Sequence, residues 1–97
     1  MIIKKLENPG RVLPKEKARV IKSGYVILKK GEEIGEHITD KREELIVLFQ
    51  GEAKIVCEGR ESIVEAPSAI YIEPEKKHNV INAGDMDLKY VYTVAFI

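Results

Sequence analysis

Apolar and polar residues alternate along most of this chain in short runs, and glycine, proline or charged turns separate the runs. A period of two marks strands whose successive side chains face opposite sides. The pattern predicts strands at Arg19–Lys22, Tyr25–Lys29, Ile34–Thr39, Glu44–Phe49, Ala53–Cys57, Glu61–Glu65, Ala69–Ile72, Asn79–Asn82 and Leu88–Phe96. Ser23-Gly24 reads as a break between the first two strands, and Glu58-Gly59 as a two-residue hairpin turn. Lys15–Arg19 has room for about one helical turn, because Pro14 and Ser23-Gly24 bound it closely. Short strands without helices predict an all-β fold, a small antiparallel sandwich or barrel.

Two segments depart from alternation. Leu45–Phe49 and Val91–Ile97 are apolar at nearly every position. A strand apolar on both sides lies between two layers. In a chain of 97 residues, one of those layers is expected to be a second copy of the same chain, which predicts a homodimer.

Composition narrows the function classes. A length of 97 residues is one domain, residues 1–97, with enough chain for one compact core. Apolar residues make up 44% and charged residues 33%, the balance of a folded rather than a disordered chain. The 16 basic and 16 acidic residues cancel and are scattered, so no stripe exists to gather nucleic-acid phosphates. Cys57 is the single cysteine, which excludes an intramolecular disulfide and a thiolate zinc cage. Met1-Ile-Ile-Lys-Lys5 lacks the apolar core of a signal peptide, and no run is long enough to span a bilayer. A cytoplasmic protein without nucleic-acid or membrane partners is expected. Charge carried mostly by lysine and glutamate, with Gln50 the single glutamine, leans toward a thermophilic source.

The chain has two histidines, His37 and His78. On a strand, His37 and Thr39 share a face. Glu44 opens the next apolar strand, on the face of Ile46 and Leu48, and Glu43 is the alternative on the opposite face. A carboxylate at the end of an apolar face is costly unless it is paired or bound to a metal. Pro74 forces a turn before the segment that carries His78, which sets that histidine at a strand start. Two imidazoles and a carboxylate suit Zn²⁺, Mn²⁺, Fe²⁺, Ni²⁺ or Cu²⁺.

These residues carry a resemblance. Gly31, His37, Thr39, Glu44 and Gly51 are spaced as in the first cupin motif, Gly-x5-His-x-His-x(3 or 4)-Glu-x6-Gly. The six residues before Gly51 select Glu44 over Glu43 as the metal carboxylate of that motif. Pro67 through Asn82 resembles the second motif, with His78 and Asn82 matching and Pro67, Glu73 and Glu75 in place of its glycine, proline and glycine. Fifteen residues, Glu52 to Ala66, separate the two motifs, a spacing typical of small bacterial or archaeal cupins. The resemblance implies a double-stranded β-helix, or jelly-roll barrel, usually dimeric, and a divalent metal held by His37, Glu44 and His78.

One ligand position departs from the motif. Thr39 stands where the family carries a second histidine, and a neutral hydroxyl is a poorer ligand than imidazole. Three protein ligands fit an active site with open positions, as in catalytic metal centres, and equally a decayed one. In a third arrangement Glu33, on the face of His37 if the strand stays regular across Gly35, fills the gap and is also the one acid–base candidate.

Tyr90 and Tyr92 share a face with Leu88, Val94 and Phe96; they read first as core or interface residues and second, with Thr39 and Tyr71, as substrate contacts. Arg42, Lys76 and Lys77 read as solvated turn charges that would also draw an anionic ligand to the mouth. Three function classes follow: a metal-dependent enzyme of isomerase or oxygenase type acting on a small polar or anionic metabolite, a non-catalytic small-ligand-binding barrel, and a degenerate barrel.

Overall fold

The computed structural model describes residues 1–97, and its regular elements are nine strands. They are β1 (Gly10–Arg11), β2 (Ile21–Leu28), β3 (His37–Ile38), β4 (Arg42–Gln50), β5 (Glu52–Cys57), β6 (Arg60–Glu65), β7 (Ser68–Ile72), β8 (Lys77–Asn82) and β9 (Leu88–Phe96). Every paired strand runs antiparallel to its neighbour. One sheet has the order β1-β2-β9-β4-β7 and the other β3-β8-β5-β6. No helix is long and apolar enough to cross a membrane.

Alternation decides which side chains fill the space between the sheets. In β4, Glu44, Ile46 and Leu48 are buried while Leu45 and Phe49 are exposed. The core joins Ile46, Leu48, Ile72, Leu88 and Tyr90 of the larger sheet to Ala53, Ile55 and Val80 of the smaller one. Each large aliphatic buried this way contributes about 1.5–3 kcal/mol relative to an exposed position. The result is the expected jelly-roll barrel.

The hairpin between β5 and β6 turns at Glu58-Gly59, both with positive φ (49° and 79°), as a two-residue primed turn demands. Lys15–Lys17 forms a single turn in which the amides of Lys17 and Ala18 donate to the Pro14 carbonyl.

Two expectations are corrected. Ser23-Gly24 does not break the chain: β2 runs through it, paired with β9 from Ile21 to Leu28. Gly24 is there because the Tyr92 ring of β9 lies against it, and a Cβ at Gly24 would sit 2.6 Å from that ring. Ser23 in turn donates its hydroxyl to the Tyr92 carbonyl at 2.7 Å. The predicted strand Ile34–Thr39 contracts to His37–Ile38, preceded by a lone bridge between Glu33 and Ile81. Gly35, at φ 103°, interrupts it, and its amide donates to Asn79 Oδ1 at 2.9 Å. On the outer face of the larger sheet, Leu45, 45% exposed, and Phe49, 51% exposed, are left uncovered by the single chain, and the second copy expected from the sequence would be the layer over them. The pair Gly10–Arg11 was not foreseen, since two residues carry no periodic signal.

Candidate metal centre

The site assembles where three strands from the two sheets end at one mouth of the barrel. His37 of β3 is the direct cross-strand partner of His78 of β8. Glu44 reaches across from β4, in the opposite sheet, on the inward face that the alternation assigns to it. Glu43 faces outward, where it accepts a hydrogen bond from the Tyr71 hydroxyl. The motif spacing and the strand geometry therefore select the same carboxylate.

Both imidazoles are oriented by backbone. His37 Nδ1 lies 2.9 Å from the Gly35 carbonyl, and His78 Nδ1 lies 2.9 Å from the Lys76 carbonyl. Each Nδ1 therefore carries the proton it donates, leaving the other ring nitrogen for an acceptor or a metal. The two rings are 4.2 Å apart between centroids, tilted by 57°. Ligand atoms of His37, Glu44 and His78 all lie within 4.8 Å of one another. Donors about 2.1 Å from a shared ion sit about 3–4 Å apart, so the three groups lie near the separations an ion requires. Glu44 and His78 are buried, and His37 stands on the rim.

His78 Nε2 and Glu44 Oε1 are 2.9 Å apart. Burial opposes charge on the His78 ring, but hydrogen bonds to Glu44 and to the Lys76 carbonyl outweigh it and hold its pKa above the ordinary histidine value. Burial first, and the Glu44 charge second, push the Tyr90 phenol far above the ordinary tyrosine value, so Tyr90 stays protonated beside the site.

A cavity of about 370 Å³ opens over these groups, with Thr39, Arg42, Glu44, Tyr90 and Tyr92 in its wall and His37 at its lip. That is the lower end of the range for small-molecule sites. The Thr39 hydroxyl is buried without a hydrogen-bond partner, as is Nε of Arg42. Buried polar atoms normally find partners, so these two are exceptions within the cavity wall. The donor set, two imidazole nitrogens and a carboxylate, fits a divalent transition metal, and no soft sulfur ligand intrudes.

Of the substrate contacts expected from sequence, Thr39, Tyr90 and Tyr92 line this cavity. Tyr71 does not: it is 56% exposed, on the outer face, and its bond to Glu43 raises its phenol. Glu33 does not fill the place of the missing histidine either. Gly35 breaks the strand between them, and the Glu33 carboxylate accepts from Asn79 Nδ2 at 3.0 Å instead. Asn82 holds backbone, donating to the Leu28 and Met86 carbonyls. Lys76 and Lys77 are not in the cavity wall, and Lys77 sits 4.0 Å from Glu36. Sequence reasoning undervalued Arg42, which stands two residues before Glu44 and therefore on the same inward face. It also passed over Lys22, which reaches the cavity because β2 continues through Gly24.

Residues 24–94 match the family described as Cupin domain. Among solved structures, the chain resembles the cupin domain of Schizosaccharomyces pombe Cnp3, at 13% identity and a TM-score of 0.83, over 92% of this chain. It spans 64% of that relative's length. It also resembles a protein described as a predicted oxalate decarboxylase from Thermotoga maritima, at 20% identity and a TM-score of 0.82, over 100% of both chains. A sugar phosphate isomerase from Silicibacter pomeroyi superposes with a TM-score of 0.74 at 13% identity, over 84% of this chain and 54% of that one. No curated protein sequence matches. Distant likenesses of this kind carry the fold and leave the chemistry to the site. The family match extends from β2 to β9 and takes in both histidines and Glu44, and on that ground the chain belongs to the cupin family.

Proposed function

We propose that this cupin binds a divalent transition metal through His37, Glu44 and His78 and holds a small polar metabolite against it in the barrel. The observation that carries the reading is the convergence of the three ligand groups within 4.8 Å, two of them buried. A bound metal of the Zn, Mn, Fe, Ni or Cu type would supply Lewis acidity at a substrate oxygen, the basis of an isomerase- or oxygenase-type reaction. The protein's own groups do the rest. Gly35 and Lys76 carbonyls fix the imidazoles, and Thr39 leaves a coordination position open where a larger side chain would close it. Protonated Tyr90 offers a hydrogen-bond donor rather than a base. The walls of Val80 and Val94 limit water around the ligand.

A second reading rests on the 2.9 Å contact between His78 and Glu44. Two ligand residues that satisfy one another need no metal, which fits a ligand-binding barrel without catalysis or a degenerate one. Elemental analysis of the purified protein separates the readings: about one metal per chain supports the first, and none after reloading with Zn²⁺, Mn²⁺, Ni²⁺ or Cu²⁺ supports the second.

We also propose that the protein is a homodimer, joined through the outer face of the larger sheet. Leu45, Phe49 and Tyr71 are large side chains exposed together there. An apolar patch of this kind on a small chain marks a contact surface.

A further inference from the structure

Arg42 opens β4 and shares the inward face of Glu44, Ile46 and Leu48. Its cross-strand partner is Phe96, and its guanidinium carbon sits 4.6 Å from the centre of that ring, which fixes the group at the mouth. No carboxylate of the chain lies within ion-pair distance of Arg42 or of Lys22, its companion cation in the cavity wall. The two acids of that wall are committed elsewhere, Glu44 to His78 and Glu36 toward Lys77. The buried Nε of Arg42 and the buried hydroxyl of Thr39 both lack partners. Arg42 and Thr39 thus stand in one cavity wall, each with a buried polar atom that lacks a partner, and no carboxylate of the chain neutralises the Arg42 guanidinium, which leaves the wall suited to an anion.

From this we infer that the ligand of the cavity is a small carboxylate, its carboxyl group gripped by Arg42 and the Thr39 hydroxyl. The inference rests on the metal-and-metabolite reading for the metal beside the ligand, but not for the carboxylate grip itself. A planar guanidinium presents parallel N–H groups that match a planar carboxylate. Phosphate is the poorer fit. Sites for it gather several donors from a helix N-terminus or a nest of backbone amides, and this mouth is built from strands whose donors are side chains, Arg42, Lys22 and the hydroxyls of Thr39, Tyr90 and Tyr92. The cavity volume of about 370 Å³ and the apolar side chains of Ile34, Ile38, Val80 and Val94 suit a skeleton of a few carbons.

The test is an NMR-detected titration of nickel-loaded protein with succinate, pyruvate, inorganic phosphate and succinamide, beside elemental analysis of each sample. Succinate or pyruvate should bind, succinamide should not, and phosphate should bind more weakly. Arg42→Met should weaken carboxylate binding about tenfold or more at unchanged metal content, and Thr39→Val about threefold to tenfold. Arg42→Lys keeps the charge and loses the fork, so it should fall between wild type and Arg42→Met; it also serves should Arg42→Met fail to fold. Carboxylates binding no better than succinamide, phosphate binding better than either carboxylate, or Arg42→Lys and Thr39→Val both binding as wild type, would overturn the inference. Wild type that retains no nickel yet binds carboxylates through Arg42 would sink the metal reading and leave this one standing. Full nickel content with no carboxylate binding would do the reverse.

Discussion

His78 and Glu44 form the one fully buried ion pair of the chain, with Nε2 and Oε1 2.9 Å apart. The same two atoms are the inner donors of the proposed metal site, so a proton and a metal compete for one nitrogen. The competition gives the site a pH dependence whose sign follows from the raised pKa of His78. Charged His78 donates to Glu44 in the folded chain and to water in the unfolded one. Its contribution to stability is fully present below the ordinary histidine pKa of about 6.5 and is lost as pH rises through the raised folded value. Metal needs the deprotonated nitrogen, so its affinity rises over the same interval. Thermal melts from pH 5.5 to 8.5 should show this pair's contribution fading with rising pH in EDTA, while the gain in Tm from added Ni²⁺ grows. A nickel gain that is flat or falls with pH would remove His78 as a ligand.

The ligand variants should separate metal binding from folding. His37→Ala and His78→Ala should each lose most of the bound metal by elemental analysis. Their stabilities without metal should differ. His37 is exposed on the rim, and its removal should cost under about 1 kcal/mol in urea unfolding. His78→Ala leaves the Glu44 carboxylate buried and unpaired, which costs about 3–5 kcal/mol. Glu44→Gln should lose metal as well, at a smaller stability cost, because a neutral amide needs no counter-charge. Full metal content in either histidine variant rules that residue out.

The floor of the cavity depends on a glycine. Tyr92 lies against Gly24, and an added Cβ would stand 2.6 Å from the ring. The φ of Gly24 is ordinary, so the clash alone sets the cost of Gly24→Ala, about 1–3 kcal/mol for overpacking. Tyr92→Ala opens the space again. The double variant Gly24→Ala, Tyr92→Ala should therefore be more stable than the sum of the two single changes implies, as chemical unfolding of all four proteins will show. Simple additivity would mean that the ring moves aside freely.

These pairings also explain what the sequence disclosed. The bounds of the strand Leu88–Phe96 were legible to the residue, and its buried face, Leu88, Tyr90 and Val94, forces the register. His37, Glu44 and His78 were legible as a set because the cupin spacing brings them to one mouth. Gly24 was misread because glycine signals a turn locally, and only the Tyr92 ring, 68 positions away, makes it a strand residue. Glu33 was misplaced for a related reason: a positive φ at Gly35 breaks a face that regular alternation would have continued. Tyr71 was assigned to the pocket by residue type, whereas its register opposite Leu45 puts it on the outer face. Arg42 was discounted as a turn charge although it lies in phase with Glu44, and phase was the better guide.

The outer face of the larger sheet yields the last prediction. Leu45 and Phe49 of β4 are about half exposed at 45% and 51%, and Tyr71 of β7 stands directly opposite Leu45 at 56%. Phe49 is half buried beside Ile2, Leu6 and Val47, so Phe49→Asp should cost the folded single chain about 1 kcal/mol. In a dimer joined through this face, the same substitution buries an unpaired charge at the contact, which costs several kcal/mol of association. Sedimentation should therefore give wild type the mass of two chains and Phe49→Asp the mass of one, with unchanged far-UV circular dichroism. Metal content should be the same in both, because the site lies on the inner face of β4 and Phe49 on the outer. Wild type sedimenting as a single chain would end the dimer proposal and leave the site untouched.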